Sequence, residues 1–171
     1  RRAPGIARYL DGLPAPGADF LAAFERHIRA IFSASPYICG RVNALVHFHL
    51  TGAGGGSIFV DARANELRIT RTAPDPPNCT FTLRAAIARL LVEGIESWED
   101  VFLSMRFRAR CDPDVDDWPL FAILRYGSDP ALIAHVERAM RKRDQLYSRM
   151  YASLIGTGRD RRTVLLSESS A

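Results

Sequence analysis

Phe102-Leu103-Ser104-Met105-Arg106-Phe107-Arg108-Ala109-Arg110-Cys111-Asp112 decides how the chain is read. From Arg106 to Arg110 every second residue is an arginine, and Met105, Phe107 and Ala109 fill the alternate positions. Side chains alternate across an extended backbone, so the arginines share one face of a strand and the apolar residues the other. A strand written this way has a core on one side and water on the other. That is the pattern of a largely antiparallel sheet covered on one face.

Upstream, the chain repeats this writing. In Val42–Leu50, Val42, Ala44, Val46, Phe48 and Leu50 point one way and Asn43, His47 and His49 the other. The glycine run Gly52–Gly56 leads into a second strand over Ser57–Ala62, and Ala64-Asn65 turns into a third over Glu66–Thr72, a three-stranded meander. Pro74-Asp75-Pro76-Pro77 interrupts, and Cys79–Leu83 is the fourth strand. Before the sheet, Asp19 opens a helix to about Ser33 with Phe20, Ala23, Phe24, His27, Ile28 and Ile31 on one face, and Ser35-Pro36 is read as its stop. After the fourth strand, Leu83–Glu93 is helical up to Gly94. Ser97-Trp98-Glu99-Asp100 has the form of a capping box and opens a short helix. Asp116 or Asp117 caps a helix through Tyr126, and Ser128-Asp129-Pro130 starts a last one to about Leu154.

The fold class so predicted is α+β, a mostly antiparallel five-stranded sheet with helices covering one face. The domain reading is a flexible lead-in over 1–17, one domain over 18–127, an additional C-terminal helix over 128–155 and a disordered tail over 156–171.

The opening stretch also resembles a known family. In the sterol carrier protein 2 family, Phe-Met-Ser-Gly leads into alternating basic and apolar residues and closes with Gly-Asp. Phe102, Ser104, the arginine alternation and Asp112 fall in register with it, and Cys79-Thr80-Phe81-Thr82-Leu83 followed by Leu90-Leu91 and Gly94 is similar to the family's strand and leucine-rich helix. Met105 and Cys111 stand where the family usually has glycine. The resemblance covers roughly residues 20–127. It implies an apolar tunnel between sheet and helices, holding a hydrophobic small molecule or lipid: a fatty acyl chain, a sterol or another isoprenoid. It also implies a binding domain in place of an enzyme, working alone or as accessory to a partner enzyme of lipid, quinone or polyketide metabolism. The residues expected to line the tunnel are Phe48, Phe59, Phe81, Leu91, Trp98, Phe102, Met105, Phe107, Phe121 and Leu124. The same residues at the same spacing would also serve a plain packed core.

Other motifs carry less chemistry. His47-x-His49 puts two imidazoles on one strand face but offers no third metal ligand by spacing. Asp112-x-Asp114-x-Asp116 lacks the glycine and glutamate of a calcium loop, which leaves helix capping. Gly52–Gly56 leads into a strand, whereas a phosphate-binding glycine loop must open a helix. No nucleophile elbow is present, and neither a metal nor a cofactor is expected. The three cysteines, Cys39, Cys79 and Cys111, lack close pairing and are expected as free, mostly buried thiols in a reducing cytoplasm.

The formal net charge is +4, and the stretch from Ala131 to Arg162 alone carries +5. Arg68, Arg106, Arg108 and Arg110 are expected on the open face of the sheet, and Arg138, Arg141 and Lys142 on the last helix. Together they suit an anionic membrane surface or a partner protein. No recognition motif or aromatic platform supports nucleic-acid binding. The N-terminus shows no signal peptide, and a start at Arg1 leaves an upstream segment open. The expected place is the cytoplasm, with attachment at a membrane periphery as the variant. Two other readings stand beside the carrier: an interaction domain with a closed core, and an enzyme with a cryptic site.

Overall fold

A computed structural model describes residues 12–63 and 66–168, with side chains to residue 152. Most of the 1–17 lead-in, expected to be flexible, lies outside the described residues.

The apolar stripe near the start becomes helix α1 (Phe20–Ser33), burying Phe20, Phe24, Ile28, Ile31 and Phe32. The Ser35-Pro36 pair does more than stop it. Ser35 caps a second helix, α2 (Pro36–Val42), its hydroxyl accepting the Ile38 N–H at 3.1 Å. Pro36 sits in the first turn, where a missing N–H leaves no hydrogen bond unmade. Asn43, left-handed at φ 41°, ends α2 and swings the chain into strand β1 (Leu45–Thr51). The strand expected from Val42 therefore starts three residues later.

β1 is followed by β2 (Gly56–Asp61), β3 (Arg68–Thr70), β4 (Cys79–Arg84) and β5 (Phe107–Cys111), and the sheet order is β3-β2-β1-β4-β5. The meander forms as read, with antiparallel β1–β2 and β2–β3 pairs. β5 is antiparallel to β4, but β4 lies parallel to β1, so the sheet is mixed. Asn78 fixes that join: its Oδ1 accepts the Leu45 N–H at 3.1 Å, its own N–H donates to the Leu45 carbonyl at 2.9 Å, and its carbonyl accepts the Asp112 N–H at 2.8 Å. The glycine loop between β1 and β2 is tight. Gly52 and Gly54 have positive φ, and a Cβ at Gly55 would overlap the Leu50 carbonyl.

Helices α3 (Ala85–Val92), α4 (Trp98–Leu103) and α5 (Asp117–Tyr126) form within or close to the stretches read as helical. Ser97 and Asp100 form the capping box of α4, and Asp116 caps α5 through the Trp118 N–H. Helix α1 contacts α2, α3 and α5, and α2 packs on α5. Between these helices and the sheet lie Val46, Phe48, Leu50, Ile58, Val60, Cys79, Phe81 and Leu83, all buried.

Cys79 and Cys111, expected as free thiols, form a disulfide, whereas Cys39 is free and buried. The two are 32 residues apart in sequence but directly opposite in the β4–β5 register, an adjacency that linear spacing conceals.

The chain divides into two compact units, Arg1–Ile133 and Ala134–Ala171. The last helix, α6 (Pro130–Glu168), begins in the first unit and makes up the described part of the second. It runs past Leu154, where the sequence reading ends it, into the stretch expected as a disordered tail. Within it Arg141 pairs with Glu137 at 2.8 Å, one turn away, and Leu146, Tyr147, Met150 and Tyr151 are exposed. Among the described residues no helix is long and apolar enough to cross a membrane.

Candidate ligand-binding site

The covered face of the sheet carries a continuous aromatic layer. Phe48 touches Phe24, Phe81 and Trp98, with ring centroids 5.9, 5.7 and 6.1 Å away. Phe81 stacks on Phe107 at 5.5 Å and meets Phe121 at 5.7 Å. Phe102 closes the group, 5.8 Å from Trp98, 5.0 Å from Phe107 and 5.4 Å from Phe121. Edge and offset contacts at these distances are the favourable ones for aromatic rings.

Burial is uneven across this layer. Phe24, Phe48 and Phe81 are fully buried, and Trp98 nearly so. Phe102, Phe107 and Phe121 are only half-buried. Ala109 lies opposite Phe81 in the register, hence on the covered face, yet it is exposed. Trp118, in the first turn of α5, is 44% exposed. The helices thus stop short of β5, and the aromatic layer opens along that edge.

Of the residues expected to line a tunnel, Phe48, Phe81, Leu91, Trp98, Phe102, Phe107, Phe121 and Leu124 do lie on the helix-covered side or in the helices over it. The aromatic rings among them meet one another. Phe59 does not join them. It pairs with His47 across β1 and β2, and partners across a rung share a face, so it points to the other side and stacks on His47 at 4.4 Å. Met105 is also elsewhere. It adopts φ 53°, ends the turn after α4 and is 74% exposed, because β5 begins only at Phe107.

The polar residues sort similarly. Arg108 and Arg110 lie on the open face, opposite Thr82 and Thr80 of β4, whose parallel partners in β1 are His49 and His47. Two successive rungs therefore read imidazole, hydroxyl, guanidinium. His47 takes or gives a hydrogen bond with Ser57 at 2.9 Å, and burial, then the neighbouring His49, lowers its pKa. Among the described residues no group of three metal-ligating side chains forms around this pair. Arg68, at the β3 edge, pairs with Glu66 at 2.6 Å. Arg106, expected beside Arg108, precedes the strand and turns away to Glu96, which holds its guanidinium through two contacts of 2.7 Å. Arg138, Arg141 and Lys142 are exposed on α6, within the second unit.

One polar contact reaches the aromatic layer. The Trp98 indole N–H donates to Nε2 of His27 at 3.3 Å. An indole nitrogen can only donate, so His27 must accept there, which requires the neutral ring. Burial lowers its pKa in the same sense. Sequence reasoning placed His27 on the apolar stripe of α1 without a role. It placed Ala109 with Met105 and Phe107 on the apolar face of the fifth strand, where alternation does not tell a covered position from an exposed one.

No protein-family model and no curated protein matches the sequence. Solved structures do. The sterol carrier protein domain 2 of Helicoverpa armigera matches 67% of this chain and 94% of its own, with a TM-score of 0.53 at 12% identity. Sterol carrier protein 2 from Yarrowia lipolytica matches 67% of this chain and 98% of its own, with a TM-score of 0.41 at 13% identity. The ubiquinone synthesis protein UbiJ-SCP2 matches 53% of this chain and 76% of its own, with a TM-score of 0.39 at 12% identity. The molecule is thus an α+β protein with a one-sided, helix-covered sheet. More particularly, it has the fold of the sterol carrier protein 2 domain, an assignment that rests on the Helicoverpa domain.

Proposed function

We propose that this chain is a non-catalytic binding module for a hydrophobic ligand, a lipid or similar apolar metabolite, taken up at the open edge of its aromatic layer. The observation that carries this reading is the exposure of Ala109 and the half-burial of Phe102, Phe107 and Phe121. Where Phe24, Phe48 and Phe81 are wholly buried, these three stay partly in water, and an apolar tail laid along them would remove that surface. Each methylene so buried contributes about 0.8 kcal/mol before ordering costs. Mostly apolar walls are also the usual lining of a small-molecule site. The fold adds support, since the Helicoverpa domain that shares it is named a sterol carrier.

The test is native mass spectrometry of the freshly purified chain, with solvent extraction and mass analysis of whatever is released. A stoichiometric apolar compound is expected, and its mass names the class. An apo mass, together with a melting temperature unmoved by added oleate or cholesterol, would remove the carrier reading and favour an interaction domain with a closed core.

A further inference from the structure

β5 is the last strand on its side of the sheet, and among the described residues no strand pairs beyond it. The register says which backbone groups this leaves unmet. Asp112, opposite Asn78 where the β4–β5 pair ends, donates its N–H to the Asn78 carbonyl at 2.8 Å, which makes that rung a hydrogen-bonded one. Bonded and non-bonded rungs alternate along an antiparallel pair. Arg110 and Arg108 therefore turn their N–H and C=O groups toward β4, and Cys111, Ala109 and Phe107 turn theirs outward. The Cα atoms of Cys79 and Cys111 agree, lying 4.0 Å apart, the closeness of a non-bonded rung. Arg108, Ala109 and Arg110 are all exposed. Neither arginine makes an ion pair among the described residues. Such an edge is a template for another strand, and the Cys79–Cys111 disulfide holds it in place before a partner arrives.

We propose that β5 accepts, as a sixth strand of the sheet, an extended segment of a partner protein in which acidic and apolar residues alternate. Main-chain hydrogen bonds to the outward groups supply the pairing, and the side chains of β5 set the pattern. Residues of the incoming strand opposite Arg108 and Arg110 fall on the open face, where carboxylates meet two unpaired cations. The residue between them falls opposite Ala109 on the covered face, beside the half-buried Phe107, where an apolar side chain removes surface from water. A second copy of this chain fits badly. Antiparallel pairing of β5 with itself about Ala109 sets Arg108 opposite Arg110, and like charges across a rung are destabilising. The pairing stands whether or not the aromatic layer holds an apolar ligand.

The experiment is fluorescence anisotropy of a capped, labelled peptide of three Glu-Val repeats, titrated with the full chain. It is repeated with the same composition in block order, with N-methylated valines and with N-methylated glutamates. Alternate N–H groups of a strand point to opposite edges, so one of the two methylated peptides loses the donors that meet β5 while keeping its charge. Binding of the alternating peptide, weakened about tenfold or more by block order and by at least one methylation, supports the added strand. No binding, or equal binding by all four peptides, overturns it; the latter assigns the effect to diffuse charge. On the protein side, Arg108→Gln with Arg110→Gln should weaken binding about tenfold. Ala109→Pro removes an outward N–H that β4 does not use, at an edge where proline is tolerated. It should abolish binding with the circular dichroism unchanged, and a folded Ala109→Pro that binds like the parent also overturns the proposal. Because the methylated peptides keep every side chain, the outcome is separate from that of the apolar-ligand test.

Discussion

The two halves of the aromatic layer both mix strand and helix phenylalanines over the same face of one sheet, and they differ in cover. Phe24, on α1, and Phe48, against it, have no exposed surface, whereas Phe102, Phe107 and Phe121 sit at the β5 edge only partly covered. The sealed half has helices on its outer side and the meander to continue the sheet. The open half ends at an edge strand with no element beyond it among the described residues. The difference separates two jobs that a phenylalanine-rich core can do. Rings that are wholly enclosed hold the fold, and rings left partly exposed retain surface that a ligand could cover.

The largest expected break in this comparison is Phe48→Ala. Removing a fully buried ring beside Phe24, Phe81 and Trp98 should cost about 3–5 kcal/mol in urea unfolding. A loss under about 1 kcal/mol would show that the sealed half is loosely packed.

Phe121→Ala should cost about 1–2 kcal/mol, because part of that ring is already hydrated. It should also abolish any rise in melting temperature produced by added oleate. Equal stability losses for the Phe48 and Phe121 variants would erase the distinction between the halves.

Ser35→Ala tests the sealed side again through its backbone. It removes the cap of α2 and leaves the Ile38 N–H without its side-chain acceptor, at a cost of about 1 kcal/mol.

The smallest effect belongs to pH at the boundary between the halves. The folded pKa of His27 lies below its unfolded value of 6.5, so its contribution to stability is complete above that value and is lost as pH falls through the folded pKa. Protonation also takes the lone pair that accepts the Trp98 N–H. Trp98 fluorescence and stability should therefore fall together on mild acidification, and His27→Gln should flatten that dependence. An unchanged slope in the variant would assign the pH effect to other groups.

Much of this was legible because alternation and capping are local. Val46, Phe48, Leu50, Phe81 and Leu83 face inward as their spacing demands, and Ser97 with Asp100 caps the helix that it marks. What escaped the reading depends on contacts between distant segments. Nothing near Val46 or Cys79 in sequence states that their strands run parallel. Only the same register reveals that Cys79 meets Cys111 and that Phe59 shares a face with His47. Ser35-Pro36 was misread for a different reason. The pair that ends one helix is equally good at beginning the next, and periodicity over seven residues cannot choose. Arg106 was misplaced because the alternation continues in sequence beyond the point where the strand begins.

The parallel join of β1 to β4 also has a bearing on the order of events as the chain folds. The meander needs only short loops, but Leu45 and Asn78 meet only after a separation of 33 residues has been closed, and such closures slow folding. β5 joins β4 through a closure of similar length, and the Cys79–Cys111 disulfide ties the two strands where that closure ends. Both joins of β4 therefore cost more loop closure than the meander does. As the edge strand, β5 should still exchange its amides with solvent sooner than β1, while the disulfide keeps it beside β4.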